Sequence, residues 1–171
     1  MSSQTNLFHL VEVVAKRSMT FLQEEIDLDV SNQEIKLEDV HKLELKYLTS
    51  LMSIEGPLKV YLAFSFEQDL LERVFQVYSE DIEIEEDEVD MYLEETAGDV
   101  INIILGNATA DLSNEGPAIY LSPPVIITEA KNIVRHRGAQ FITTDLVTDY
   151  GNLSVYCVGP KDLFDELLNY V

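Results

Sequence analysis

The sequence predicts a mixed α/β (α+β) domain in which amphipathic helices alternate with antiparallel hairpins. Three observations predict it. Residues 58–66 alternate strictly, with Leu58, Val60, Leu62, Phe64 and Phe66 on one face, and Gly56-Pro57 joins them by a tight turn to the extended run 43–54. Residues 94–112 instead repeat their apolar positions with helical period. Each half of the chain is also a long helix followed by extended segments that include a hairpin, which suggests pseudo-duplicated α-β units.

The elements follow in order. Residues 6–23 predict a first helix: Thr5 or Asn6 can cap it, and Leu7, Leu10, Val11, Val14, Met19 and Leu22 keep close to helical spacing. Residues 24–30 switch to alternation, with Ile26, Leu28 and Val30 on one face, and predict a half-buried strand. Residues 31–38 read as loop and strand end. After the hairpin, residues 67–78 predict a helix with Leu70, Leu71, Val74, Phe75 and Tyr78 as its apolar face. The acidic run 80–90 leads into the long helix, where carboxylates favour the positive end of the helix dipole. It lacks the glycine and terminal glutamate of an EF-hand loop, so it reads as a solvated linker and first helical turn.

Residues 114–117 break the chain, and short extended runs at 119–121 and 125–128 flank Pro123-Pro124. Residues 141–148 and 153–158 surround the turn signal Asp149-Tyr150-Gly151-Asn152 and predict a strand and its return. A terminal helix is expected at 161–170, with Leu163, Phe164, Leu167 and Leu168 inward. No stretch looks like an interdomain linker, so residues 1–171 are expected to form one domain.

Composition narrows the function. Apolar residues make up 46% of the chain, enough to fill a core rather than leave it disordered. The formal charge of −21 repels phosphate backbones and anionic lipid, which argues against nucleic acid and membrane surfaces as partners. It favours a partner with a basic patch. The single cysteine, Cys157, lies in an apolar alternating run and reads as a buried strand thiol; a lone cysteine suits a reducing compartment. With no signal peptide and no apolar stretch near the roughly 20 residues of a membrane span, a soluble cytoplasmic protein is expected.

Most familiar chemistries find no footing. His9, His41 and His136 do not pair with one another or with Cys157 at metal-ligand spacing, so no metal site is expected. Neither GxxxxGK[ST] nor GxGxxG occurs. The one basic cluster, KNIVRHR at 131–137, reads as a surface loop, or else as an anchor for an acidic partner or a neighbouring subunit. The long helix is more informative. At about 100° per residue, Leu93, Ala97, Val100, Ile101, Ile104, Ala108 and Leu112 gather on one side. Glu95, Asp99, Asn102 and Gly106 gather on the other. Gly106 costs about 1 kcal/mol in a helix interior, which suggests that something packs close to that turn. Spacing alone leaves two readings open: a solvated helix face, or a platform on which the Asn102 carboxamide holds an attacking water by donating and accepting hydrogen bonds.

The segment GDVINIILGNATADLS, residues 98–113, resembles the signature helix of the CheX-type chemotaxis phosphatases, within the CheC/CheX/FliY group. The family motif is E-x-x-N followed by G-N-A. Asn102 occupies the asparagine position, and Gly106-Asn107-Ala108 matches the segment after it. The opening helix, the strand LKVYLAFSF, the next helix, the acidic lead-in, the motif helix, SPPVIITEA and the final hairpin fall in the family's order, covering residues 6–158. The terminal helix looks like an addition. One position departs: Asp99 stands where the family has glutamate.

The resemblance implies a CheC-like fold, an antiparallel sheet with long helices packed on it. It also implies a phosphatase acting on the phospho-aspartate of a CheY-like receiver. In that role Asn102 orients the water and Asp99 contacts a receiver lysine, with Glu95 one turn earlier as a possible substitute and Gly106 giving clearance to the partner. The Mg²⁺ is expected to belong to the receiver, so the chain has no cofactor of its own. The opening helix has Glu12-Val13-Val14-Ala15, with no asparagine to make a second site, which implies one site per chain. A homodimer is expected, as among CheX relatives. The competing reading is a non-catalytic receiver-binding module like the flagellar switch components of the same group.

Overall fold

Two long antiparallel hairpins build the middle of the sheet. The computed structural model describes residues 3–38, 40–56, 59–113, 119–134 and 138–160. Strands β1 (Ser31–Asn32), β2 (Lys36–Glu38), β3 (Lys42–Glu44), β4 (Leu48–Glu55) and β5 (Lys59–Phe66) precede helix α2 (Gln68–Tyr78). Strands β6 (Tyr120–Leu121), β7 (Val125–Ile127), β8 (Asn132–Val134), β9 (Ala139–Thr148) and β10 (Gly151–Pro160) follow helix α3 (Val89–Ser113), and helix α1 (Ser3–Thr20) opens the chain. The hairpins β4–β5 and β9–β10 join through an antiparallel β5–β10 pair, in which Phe64 faces Val155 and Leu62 faces Cys157. The sheet order is β1-β9-β10-β5-β4-β6, with β2 also on β9 and β7 also on β4. Strands β3 and β8 form a separate two-stranded ribbon.

The pairing pattern carries the duplication. The short strands β1 and β2 after α1 pair with the hairpin that follows α3, and β6 and β7 after α3 pair with the hairpin that follows α1. Each half thus lends its edge strands to the other, and the β5–β10 pair lies between them. Helix α2 has no counterpart in this scheme among the described residues.

One face of the sheet holds the core. Leu48, Met52, Ile54, Val60, Leu62, Phe64, Phe66, Ile142, Leu146, Leu153, Val155 and Cys157 point into it. All three described helices pack there: α1 on β9, α2 on β10 and α3 on β4, with α1 and α2 both against α3. Each fully buried aliphatic or phenyl side chain contributes about 1.5–3 kcal/mol. The opposite face is partly polar. The Lys46 amide donates to Ser65 Oγ at 2.7 Å and the Tyr156 hydroxyl donates to the Glu44 carbonyl at 2.8 Å. These bonds hook segment 44–46 over the sheet.

That hook corrects one expectation. Residues 43–54 are two strands, because the chain leaves the ribbon at Glu44 and enters the main sheet at Leu48. Residues 24–30 are not a strand either. The first helix ends in a π-helical turn, Phe21–Glu25, and Asp27 takes a left-handed φ of 59°. The Leu28 amide then donates to the Leu22 carbonyl at 3.0 Å. Ile26 and Leu28 are buried as the alternation required, but a turn rather than a pleat puts them there. Helix α3 begins five residues earlier than the periodicity suggested, after a 3-10 turn at Glu86–Glu88. In the basic cluster, residues 132–134 belong to β8, not to a loop, while Arg135, His136 and Arg137 lie outside the described residues. So do Pro57, Leu58, the break at 114–117 and the expected helix at 161–170.

Candidate functional site

Helix α3 lies between the other two helices and shows one stripe to solvent. Leu93, Ala97, Val100, Ile101, Ile104, Leu105 and Ala108 are buried. Truncating a large member of this set to alanine would cost about 2–5 kcal/mol, so the helix is firmly seated. Two hydroxyls on its inner flanks bond back along the helix, Thr96 Oγ1 to the Tyr92 carbonyl at 2.7 Å and Thr109 Oγ1 to the Leu105 carbonyl at 2.8 Å. Near its end, the Arg17 guanidinium of α1 donates two hydrogen bonds of 2.6 Å to the Asp111 carboxylate. This side-on pair fixes α1 and α3 relative to one another and holds the Asp111 carboxyl below the usual carboxylate range.

Glu95, Asp99, Asn102 and Gly106 are all exposed, as their spacing predicts. Among the described residues, no hydrogen bond or ion pair engages the Asp99 carboxylate or the Asn102 carboxamide. Both are therefore free to meet an outside group. Glu95, Asp99 and Asn102 share an open groove of about 450 Å³ with Met91, Glu94, Gly98, Pro124 and Ile126. The far wall comes from β7 and the proline before it. Outside the groove lining, the Tyr78 hydroxyl of α2 is pushed up to about 12 by burial, with Glu25 and Asp99 adding to the shift.

The two glycines differ. Apart from its chain neighbours and the adjacent backbone of its own helix, nothing in the described chain lies within 4 Å of a Cβ built at Gly106. The expected close packing at that turn is therefore absent within the described chain, and Gly106 stands outside the groove lining. Gly98 is buried, and a Cβ there would meet Ile126 Cδ1 and Pro124 Cγ at 3.6 Å, an ordinary contact. Met91, Glu94, Gly98, Pro124 and Ile126 were not visible as site residues in the sequence. The available signals were the glycine directly before Asp99 and the proline pair before a short apolar strand.

The remaining candidates stay apart. Cys157 is buried and desolvation pushes its thiol up to about 12, so it remains protonated on its strand. Within α1, Glu12 is exposed while Ala15 is buried, so that segment presents no second carboxylate–carboxamide pair. A larger open concavity of about 570 Å³ is lined by Lys46, Tyr47, Glu67, Asp69, Asp149 and Tyr150 among others, and holds no member of the α3 stripe. Among the described residues, no group of three His, Cys, Asp or Glu side chains is arranged to hold a metal ion. No described helix is long and apolar enough to cross a membrane.

An antiparallel sheet backed by helices, with a long helix showing a polar stripe, is the CheC-like architecture. The chain is similar in fold to CheX from Desulfovibrio desulfuricans, with a TM-score of 0.74 and 16% identity over 87% of this chain and 97% of that one. It is similar to a chain of the CheX–CheY–BeF3–Mg²⁺ complex from Borrelia burgdorferi, with a TM-score of 0.70 and 13% identity over 87% and 96%. FliY from Thermotoga maritima is more distant, with a TM-score of 0.59 and 15% identity over 96% and 92%. No curated protein sequence matches. Residues 48–146 match the family model for the chemotaxis phosphatase CheX. That is more than half of the chain, and the chain belongs to the CheX family.

Proposed function

We propose that this chain dephosphorylates the phospho-aspartate of a CheY-type receiver. The observation that carries the reading is the unengaged Asp99–Asn102 pair, exposed one turn apart on a firmly seated helix of a CheX-family chain. The Borrelia complex, in which a CheX accompanies CheY with BeF3 and Mg²⁺, supports the choice of partner.

In this reading α3 enters the receiver's active site. The Asn102 carboxamide accepts a hydrogen bond from a water and donates one to it, aligning its oxygen opposite the aspartyl–phosphate bond. The amide has no useful pKa, so it positions the water without acting as a base. A bond forms from the water oxygen to phosphorus as the phosphorus–oxygen bond to the aspartate breaks, releasing free carboxylate and inorganic phosphate. The Asp99 carboxylate pairs with a receiver lysine and sets the register, with Glu95 within the same groove as a second anion. The open surface over Gly106 admits the partner's backbone. The receiver brings the Mg²⁺ that neutralises charge on the phosphoryl group. The working form is proposed to be a cytoplasmic homodimer of single-domain chains.

The test is loss of acyl phosphate from a phosphorylated CheY-type receiver. The wild-type chain is expected to accelerate it, and Asn102→Ala to lose about 100-fold of that acceleration. No acceleration by the wild type, or equal acceleration by the variant, overturns the mechanism.

Asp99 in place of the family glutamate favours one alternative, a module that holds the receiver without hydrolysing it. Fold neighbours among flagellar proteins, FliY and the FliM middle domain from Vibrio alginolyticus, give that alternative its structural context. Binding of phosphorylated receiver without faster loss of phosphate selects it.

A further inference from the structure

We propose that the groove floored by Gly98 is a specificity pocket of this same site, which takes an aliphatic-stemmed cationic side chain, a lysine or arginine, from the partner's surface. The proposal rests on the receiver-directed reading above. It begins with a glycine that the fold does not require. Gly98 lies inside α3 and does not have a left-handed φ. An added Cβ would make only ordinary contacts with Pro124 and Ile126. Alanine would suit the helix better. What a side chain at 98 would do is fill the floor of the groove.

The lining identifies the occupant. One wall, from β7 and the proline before it, is apolar: Ile126 and Pro124. The other, from α3, carries three carboxylates, Glu94, Glu95 and Asp99, together with Asn102 and the methylenes of Met91, which is 49% exposed, and no lining residue is a cation. An apolar ligand would leave the carboxylates desolvated and unpaired, and an anion would be repelled by them and by a net charge of −21. A long side chain with methylenes along its stem and a cation at its tip satisfies both walls. If Asp99 meets one receiver lysine, Glu94 and Glu95 remain to hold this second cation. The pocket would thereby sort receivers by a basic residue beside the phosphorylation site.

The experiment measures three things: affinity for a purified CheY-type receiver held active with beryllofluoride and Mg²⁺, steady-state dephosphorylation of the same receiver, and thermal unfolding. Gly98→Ala should unfold about 2–4 °C above the wild type while binding about tenfold more weakly, with the loss in KM rather than kcat. Gly98→Leu should bind about 100-fold more weakly. Glu94→Lys should weaken binding and flatten its salt dependence. Wild-type affinity in a folded Gly98→Leu overturns the pocket, while loss of turnover in Asn102→Ala leaves the phosphatase reading intact. If Gly98→Leu fails to fold, unchanged affinity in Gly98→Ala overturns the pocket instead. Receiver binding without turnover overturns the phosphatase reading, and the Gly98 affinities still decide the pocket. No receiver binding by the wild type overturns both.

Discussion

Asp99 is one methylene shorter than the glutamate of the family motif, a difference in reach of about 1.5 Å. Its carboxylate starts from a rigid helix, since Ala97, Val100 and Ile101 beside it are fully buried, so backbone movement cannot easily make up the distance. In the phosphatase reading, Asp99→Glu is therefore expected to keep or raise the rate of receiver dephosphorylation. A large fall in that rate would mean that the site is built around the shorter side chain. The stripe itself was legible because helical periodicity sorts side chains by face, and it placed Glu95, Asp99, Asn102 and Gly106 outward correctly. The groove was not legible. Its far wall, Ile126 of β7 and Pro124 just before it, comes from a segment more than twenty residues away, and only tertiary packing brings it beside Gly98.

Helices and long hairpins were readable because each carries its own period. Residues 24–30 show the limit of that reading: alternation in burial arises from a π-helical turn and a left-handed Asp27 as readily as from a strand. The division of 43–54 into β3 and β4 depends on bonds to Ser65 and from Tyr156, which no local pattern reveals. Between elements, the Arg17–Asp111 pair is the polar clamp of α1 on α3. The Asp111 carboxyl is held low first by its hydrogen bonds from Arg17. A depressed carboxyl contributes stability above its unfolded pKa and loses it as pH falls through the folded value. The melting temperature of the wild type should therefore exceed that of Asp111→Asn near neutrality. The gap should close only in acid below the ordinary carboxylate range. Thermal melts of both proteins from about pH 7 to about pH 2 check this. A gap that stays constant across the range would mean that the pair adds nothing through its charge.

For the molecule as a whole, the exchange of edge strands between halves makes the sheet one unit, while its charge works against compactness. There are 32 acidic side chains against 11 lysines and arginines, so most carboxylates lack a cationic partner. The run from Glu80 to Asp90 concentrates them at the start of α3, close to the candidate site. Self-repulsion of this kind destabilises the folded state and is screened over about 10 Å at 0.1 M salt. The same field attracts a partner whose contact surface is basic. Salt should therefore act in opposite directions on the two properties. Between about 0.01 M and about 0.15 M NaCl, the melting temperature should rise while the association rate with a CheY-type receiver falls. Scanning calorimetry and stopped-flow binding in the same buffers separate the effects. A melting temperature that falls with salt would mean that exposed pairs such as Lys59–Glu55, at 3.3 Å, outweigh the repulsion. An association rate indifferent to salt would mean that the acidic surface around α3 does not face the partner.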